Sequence, residues 1–197
     1  MNKQQEKEKQ EYLDVVNENG EVIGKDTRYN CHKNSKLLHK VCDVFLFNEK
    51  GEVLLQQRSA DKINDPNMWT NSAGGHIESG ESEEVGVAKE IKEEVGLKDV
   101  KLTKCFSTLT YVYRGDGGNE SHFVNVYIGF IHSLCKLTKQ DSEVQQLKWF
   151  NAKIVAQNNV KKDMSAEYSE VIMTFYNTAY KRYLYEKNIN KITYQKL

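Results

Sequence analysis

The chain has 197 residues, in which 28 Lys or Arg balance 28 Asp or Glu for a formal net charge of zero, and 39% of residues are hydrophobic. That balance gives no electrostatic reason to expect a nucleic-acid or membrane-surface partner, and no run of about 18 apolar residues is present to cross a bilayer. At this length roughly 70% of the unfolded surface can be buried, enough for one core without a disulfide or metal staple.

In chain order, residues 1–10 (MNKQQEKEKQ) are polar, lack the apolar stretch of a secretory signal, and predict a solvated, flexible arm. Residues 11–197 are expected to form a single domain. An extended pattern from Glu11 to Ile23 with Asn19-Gly20 inside it predicts a hairpin. Val41–Phe47 and Glu52–Gln57 read as two strands around Glu49-Lys50-Gly51. Ser59–Ala73 is mostly polar, holds Pro66, the single proline, and reads as a long loop, which in a compact domain is usually functional. Ser82–Val95 has helical periodicity and meets a C-capping glycine at Gly96. Strands are expected at Val100–Phe106, Leu109–Tyr113, Ser121–His132 and Gln146–Phe150, with a turn over Gly115–Asn119. Tyr168, Val171, Ile172, Phe175, Ala179 and Tyr183 recur at helical spacing and predict a long amphipathic closing helix. Strands around a central helix, with another helix at the end, suggest a layered α/β domain. Cys31, Cys42, Cys105 and Cys135 have no framework spacing and read as free thiols of a reducing, cytoplasmic compartment.

The chemistry is concentrated in Gly74–Leu97, GGHIESGESEEVGVAKEIKEEVGL. Gly74-Gly75 allows the backbone to turn and to approach a ligand closely. In the helix that follows, at about 100° per residue, Glu93 lies about 60° to one side of Glu90 and Glu94 about 40° to the other. The three carboxylates therefore share one narrow face, while Val87, Ala88, Ile91 and Val95 are expected on the adjacent packing face. Clustered anions repel, and a hard divalent cation with oxygen ligands, Mg²⁺, Ca²⁺ or Mn²⁺, resolves that repulsion. Taken alone, such a charge run is more often a solvated helix face. Gly86, in mid-helix, costs about 1 kcal/mol relative to Ala and has no evident purpose in the sequence.

The full spacing resembles the Nudix box: Gly75, five residues, Glu81, seven residues, Lys89-Glu90, Ile91, then Glu93-Glu94, Gly96 and Leu97, with Lys89 standing where the box has Arg. The resemblance implies an α/β/α sandwich with a mixed β-sheet, here with the N-terminal hairpin and the C-terminal helix. It further implies Glu93 and Glu94 as metal ligands, Glu90 as a further ligand or the base, Glu81 as support, and a backbone carbonyl from Gly75 toward the metal. Lys89 is a flexible point charge in place of a planar bidentate donor, so it would hold the catalytic carboxylate less rigidly.

From about Tyr12 to Phe150 the chain also resembles the isopentenyl-diphosphate isomerase branch of that superfamily, through HKNSKLLHKVCDVFLFNEKGEVLLQQRS and PNMWTNSAGGH. Those isomerases bind a divalent metal through three histidines and two glutamates, and protonate the alkene with a cysteine and a glutamate. His32, His39 and His76 fall on the histidine positions, Glu120 on one glutamate position and His122 on the other. Gly74 stands where the cysteine would be and can move no proton. The resemblance therefore implies an isomerase-like scaffold with hydrolytic chemistry, and a nitrogen-rich second metal site suited to Zn²⁺, Ni²⁺ or Co²⁺, or a phosphate site if His76 is an imidazolium.

Plainer readings stand beside these. His39, beside Leu37, Leu38 and Val41, also reads as a hydrogen-bonded structural histidine, and His32, in a polar loop, as solvated. Cys31, His32, His39 and Cys42 could be taken for a zinc cluster, without the usual spacing. Trp69 would either stack a nucleobase or pack in the core; Arg58 and Lys62 would meet substrate phosphates or sit as surface charge. The expected function is hydrolysis of a small-molecule diphosphate, with an isoprenoid diphosphate isomerase or a non-catalytic binding module as alternatives. Substrate and oligomeric state are not legible.

Overall fold

A computed structural model describes residues 3–113, 118–161 and 168–189. In chain order the elements are helix α1 (Lys3–Glu8), strands β1 (Tyr12–Val16) and β2 (Val22–Thr27), helix α2 (Arg28–Cys31), and strands β3 (His39–Phe47), β4 (Glu52–Arg58), β5 (Trp69–Thr70) and β6 (Ala73–His76). Helix α3 (Glu83–Glu94), strands β7 (Leu102–Tyr113), β8 (Asn119–Phe130) and β9 (Val144–Asn151), and helices α4 (Ala152–Lys161) and α5 (Glu170–Ile189) follow. The chain divides into two compact units: Met1–Cys42 with Gly75–Val87 and Ser107–Asn125, and Asp43–Gly74 with Ala88–Phe106 and Val126–Leu197.

In the first unit the expected hairpin forms as the antiparallel pair β1–β2, from Tyr12↔Thr27 to Val16↔Val22. Its turn is tied by Asn17, whose Oδ1 accepts from the N–H of Asn19 and of Glu21. Leu13, Val15 and Cys31 form a buried cluster under this hairpin, with Leu37 packed on it. Thr27 caps α2, accepting from Asn30 N–H at 3.2 Å. Residues 3–8, expected within a flexible arm, form α1, and Glu8 at its end is 3% exposed. Gly86 has a steric explanation: a Cβ there would lie 2.6 Å from Ile77 Cδ1. The glycine lets the helix backbone approach Ile77 closely.

In the second unit β4 pairs antiparallel with β9, from Glu52↔Asn151 to Arg58↔Val144, with β3 at Leu46↔Leu54, and with β5 at Gln56↔Thr70. The closing helix buries Ile172, Phe175, Tyr176, Ala179 and Tyr183, and Tyr183 stacks on Phe47 with ring centroids 4.2 Å apart. Helix α3 ends as expected. Gly96 takes φ +78, a left-handed value, and donates its N–H to Ile91 O and Lys92 O at 3.1 Å. The buried face of α3 is Val87, Ile91 and Val95, while Ala88 is exposed; Glu94 takes an inward position instead.

Several expectations are corrected. Val100–Phe106 and Leu109–Tyr113 are one strand, β7, because Ser107-Thr108 carries no glycine or proline to break an extended run rich in Thr and Tyr. The Ser59–Ala73 loop contains β5, entered through left-handed turns at Asp65 and Asn67. Helices α2 and α4 were not foreseen. Of the turn expected over Gly115–Asn119, positions 114–117 lie outside the described residues. Among the described residues, no helix is long and apolar enough to cross a membrane, and the four cysteines are free.

Candidate functional site

Among the described residues, each unit brings together candidate site residues. In the second unit the cluster is built on α3. Glu94 is 4% exposed, Glu90 is half-buried and Glu93 is exposed. Glu94 Oε2 accepts the Gly74 backbone N–H at 2.8 Å and the Gln56 side-chain amide at 2.8 Å. Burial nevertheless pushes its carboxyl up to about 7. Burial, and then the charges of Glu94 and Glu93, raise Glu90 to about 8. Asp43, buried on β3, receives the Asn71 side-chain amide at 2.6 Å; burial and then the Glu94 charge raise it to about 7. Carboxyls held partly protonated near neutrality are the condition that a hard divalent cation relieves, and the donors are all oxygen. The residues fit Mg²⁺ or Mn²⁺.

The sign of the pH dependence follows. A carboxyl raised in the fold is destabilising once the unfolded chain ionises, so the stability present below the ordinary value of 4.5 is lost as pH rises to about 7 for Glu94 and about 8 for Glu90. A cation that binds the ionised pair reverses that loss. Thermal melting in EDTA and in excess Mg²⁺ is therefore expected to give a larger Mg²⁺-dependent rise in Tm at pH 8.5 than at pH 5.5; equal increments would contradict the assignment.

The remaining candidates of this unit take definite places. Lys89 is half-buried, and its charge favours the ionised form of Glu90. Lys62 pairs with Glu143 at 2.8 Å, and the charge of Glu143 opposes ionisation of Glu90 and Glu94. Arg58 Nε donates to Asn64 O at 2.9 Å, and its charge favours ionised Asp43. Trp69 packs edge-on against Phe150, centroids 4.8 Å apart, which is the packing alternative. Gly75, in β6, belongs to the first unit.

In the first unit His32, His39, His76 and Glu120 converge, each offering a ligand atom within 4.8 Å of the others. His39 and His76 stack with centroids 5.2 Å apart. His32 Nε2 and His76 Nε2 are 3.1 Å apart, and Glu120 Oε2 lies 3.5 Å from the former and 4.0 Å from the latter. His39 donates from Nδ1 to Leu37 O at 2.9 Å in the neutral tautomer that leaves Nε2 a lone pair. That Nε2 is buried without a hydrogen-bond partner. An orphaned imidazole nitrogen, together with two more nitrogens facing each other beside a carboxylate, fits a borderline divalent ion such as Zn²⁺, Co²⁺ or Ni²⁺. Burial holds His39 down at about 3 and His76 well below its ordinary value. Both rings are thus neutral, which removes support from His76 as an imidazolium grip on phosphate. His32 is buried, against the solvated alternative. His122 is one step out: its Nε2 meets Glu120 Oε2 at 2.7 Å, and its ring lies 4.9 Å from His39. Neither Cys31 nor Cys42 belongs to the group, so the Cys/His zinc alternative falls.

A Nudix domain model matches residues 37–175. The chain is 33% identical over 141 residues to an isopentenyl-diphosphate Delta-isomerase of Enterobacter sp. (strain 638), covering 71% of this chain and 76% of that protein. It is 34% identical over 155 residues to isopentenyl-diphosphate Delta-isomerase II of Camptotheca acuminata, 70% of this chain but 50% of that longer protein. The structure of DR0079 from Deinococcus radiodurans superposes with a TM-score of 0.67 over 84% of this chain and 97% of that one, at 21% identity.

The chain belongs to the Nudix family. Within it, the relatives place the chain in the isopentenyl-diphosphate isomerase-like branch, and the α/β fold agrees with the solved structure just described. Reading the Nudix chain by its box finds Glu90, Glu93 and Glu94 but passes over Gln56, Asp43 and Glu143. Gln56 and Asp43 carried a signal: each is a polar residue inside an apolar strand run, VLLQQ and VCDVFLF, where burial demands a partner.

Proposed function

We propose that this Nudix chain hydrolyses the diphosphate linkage of a nucleoside diphosphate derivative or a related small molecule, using Mg²⁺ or Mn²⁺ on Glu90, Glu93 and Glu94. One observation carries the reading: a buried Glu94, fixed by Gly74 N–H and Gln56, stands on the same helix face as Glu90 and Glu93. Bound there, a divalent ion supplies charge neutralisation on the phosphoryl oxygens. The chain's own part is to hold the carboxylates and to move a proton. Glu90, ionised once the cation offsets the burial and the neighbouring charges that otherwise raise it, serves as a further ligand or as the base for the attacking water. Gln56 and the Gly74 N–H hold Glu94, while Lys89 acts on Glu90 as a point charge. With four free cysteines, a reducing cytoplasmic setting fits the chain.

The isomerase reading has one observation in its favour, the His32, His39, His76 and Glu120 centre. Against it stands Gly74, which has no side chain to carry a proton in the segment that resembles the isomerases. The histidine centre is then a retained metal site for Zn²⁺, Co²⁺ or Ni²⁺ beside a different reaction. A non-catalytic binding module is disfavoured by the intact carboxylates.

The test is a panel of nucleoside diphosphates, dinucleotides, nucleotide sugars and isopentenyl diphosphate, with Mg²⁺ or Mn²⁺. The expected result is released phosphate or nucleotide from at least one member, and no allylic isomer from isopentenyl diphosphate. Isomer formation above an empty-vector control would overturn the hydrolase assignment.

A further inference from the structure

Glu8 is the unexplained charge of the first unit. It ends a short polar helix, yet it is 3% exposed, and a carboxylate leaves water only against a partner. Its Oε1 lies 3.3 Å from His32 Nδ1. The other nitrogen of that ring, Nε2, faces His76 Nε2 at 3.1 Å and Glu120 Oε2 at 3.5 Å. A neutral imidazole carries one proton, and the nitrogen that holds it is set by the acceptor it meets. A carboxylate at Nδ1 draws the proton there and turns a lone pair at Nε2 toward the cluster. His39 is keyed the same way, with the Leu37 carbonyl at its Nδ1 and an unpartnered Nε2. The two rings present matching nitrogens, one fixed by backbone and one by a side chain from the N-terminal segment.

We propose that Glu8 is a positioning residue of the histidine centre: its carboxylate fixes the ring and tautomer of His32 for a divalent metal, which makes the N-terminal helix part of the site. This rests on the reading of His32, His39, His76 and Glu120 as metal ligands. The segment has its own anchors, since Lys9 lies over the Tyr29 ring at 5.1 Å and Glu11 pairs with Arg28 at 2.8 Å. Glu8 is therefore not needed merely to tether it. Binding and docking are reciprocal: whatever the docked helix adds to metal affinity, the metal adds to docking.

The experiment uses the full chain and its Glu8→Gln, Glu8→Ala and His39→Ala variants. Zn²⁺ affinity is measured by competition with a chromophoric chelator, and the bound geometry by the visible absorption of Co²⁺. Loss of an outer partner of a ligating histidine costs about 10- to 100-fold in affinity. Glu8→Ala should fall in that range with a changed Co²⁺ spectrum. Glu8→Gln, whose amide oxygen still accepts from Nδ1–H, should lose less and keep the spectrum. Wild-type affinity and spectrum in Glu8→Ala, with binding lost in His39→Ala, would overturn the Glu8 role and leave the centre standing. Absence of Zn²⁺ and Co²⁺ binding by the wild-type chain would overturn the centre and this role with it. If Glu8→Ala does not fold, Glu8→Gln decides: a measurable loss of Zn²⁺ affinity supports the Glu8 role, and wild-type affinity overturns it.

Discussion

Glu94→Gln should lower diphosphate hydrolysis by about a hundredfold or more, which corresponds to about 2.7 kcal/mol of transition-state stabilisation. Glutamine fills the same space, and its carbonyl oxygen can still accept from Gly74 N–H and from the Gln56 amide, the two bonds now made by Glu94 Oε2. What disappears is the negative charge that holds the cation, and loss of a metal ligand removes several kcal/mol of charge stabilisation. Because burial raises the Glu94 carboxyl to about 7, the same variant should be no less stable than wild type in EDTA at pH 8. Turnover at saturating Mg²⁺ and thermal melting of the metal-free protein check the two halves. Glu93→Gln, at an exposed position, should cost about tenfold or more in rate. Wild-type turnover in both folded variants would remove the site.

His39→Ala should weaken Zn²⁺ or Co²⁺ binding by at least about a hundredfold, because three donors cannot hold the ion as four do. The His39 Nε2 is a buried, unpartnered atom within the 4.8 Å group. His122→Ala should change affinity far less, since His122 Nε2 is spent on Glu120 at 2.7 Å. Equilibrium competition with a chelator gives both numbers, and equal losses in the two variants would contradict the assignment of donors.

How much of this was legible in the sequence varies with the kind of signal. Helix α3 and its glycine cap were readable because period, charge and a left-handed terminus coincide between Ser82 and Gly96. The β1–β2 hairpin was readable from Asn19-Gly20. Strand β7 was not, because polar Ser107-Thr108 looks like a break when burial cannot be seen. Ala88 was misplaced because inward positions go to whatever the neighbours can satisfy. Ala88 lies about 100° from Val87, at one edge of the buried arc, while the other edge is taken by Glu94, which has two donors. The histidine centre came from resemblance alone, since His32, His39, His76 and Glu120 lie far apart in the chain and no periodicity joins them. Glu8 was the hardest to see: six residues of Lys, Gln and Glu carry no apolar stripe, and the imidazole that meets its carboxylate is 24 positions away.

The most direct test of the central claim is hydrolysis in ¹⁸O-labelled water by wild type and Glu94→Gln, followed by mass spectrometry of the phosphorylated products of the best substrate in the diphosphate panel. The account predicts ¹⁸O on a product phosphate from the wild-type enzyme with Mg²⁺, none with EDTA, and about a hundredfold less from the variant. Metal-independent incorporation, or equal incorporation by Glu94→Gln, would contradict it.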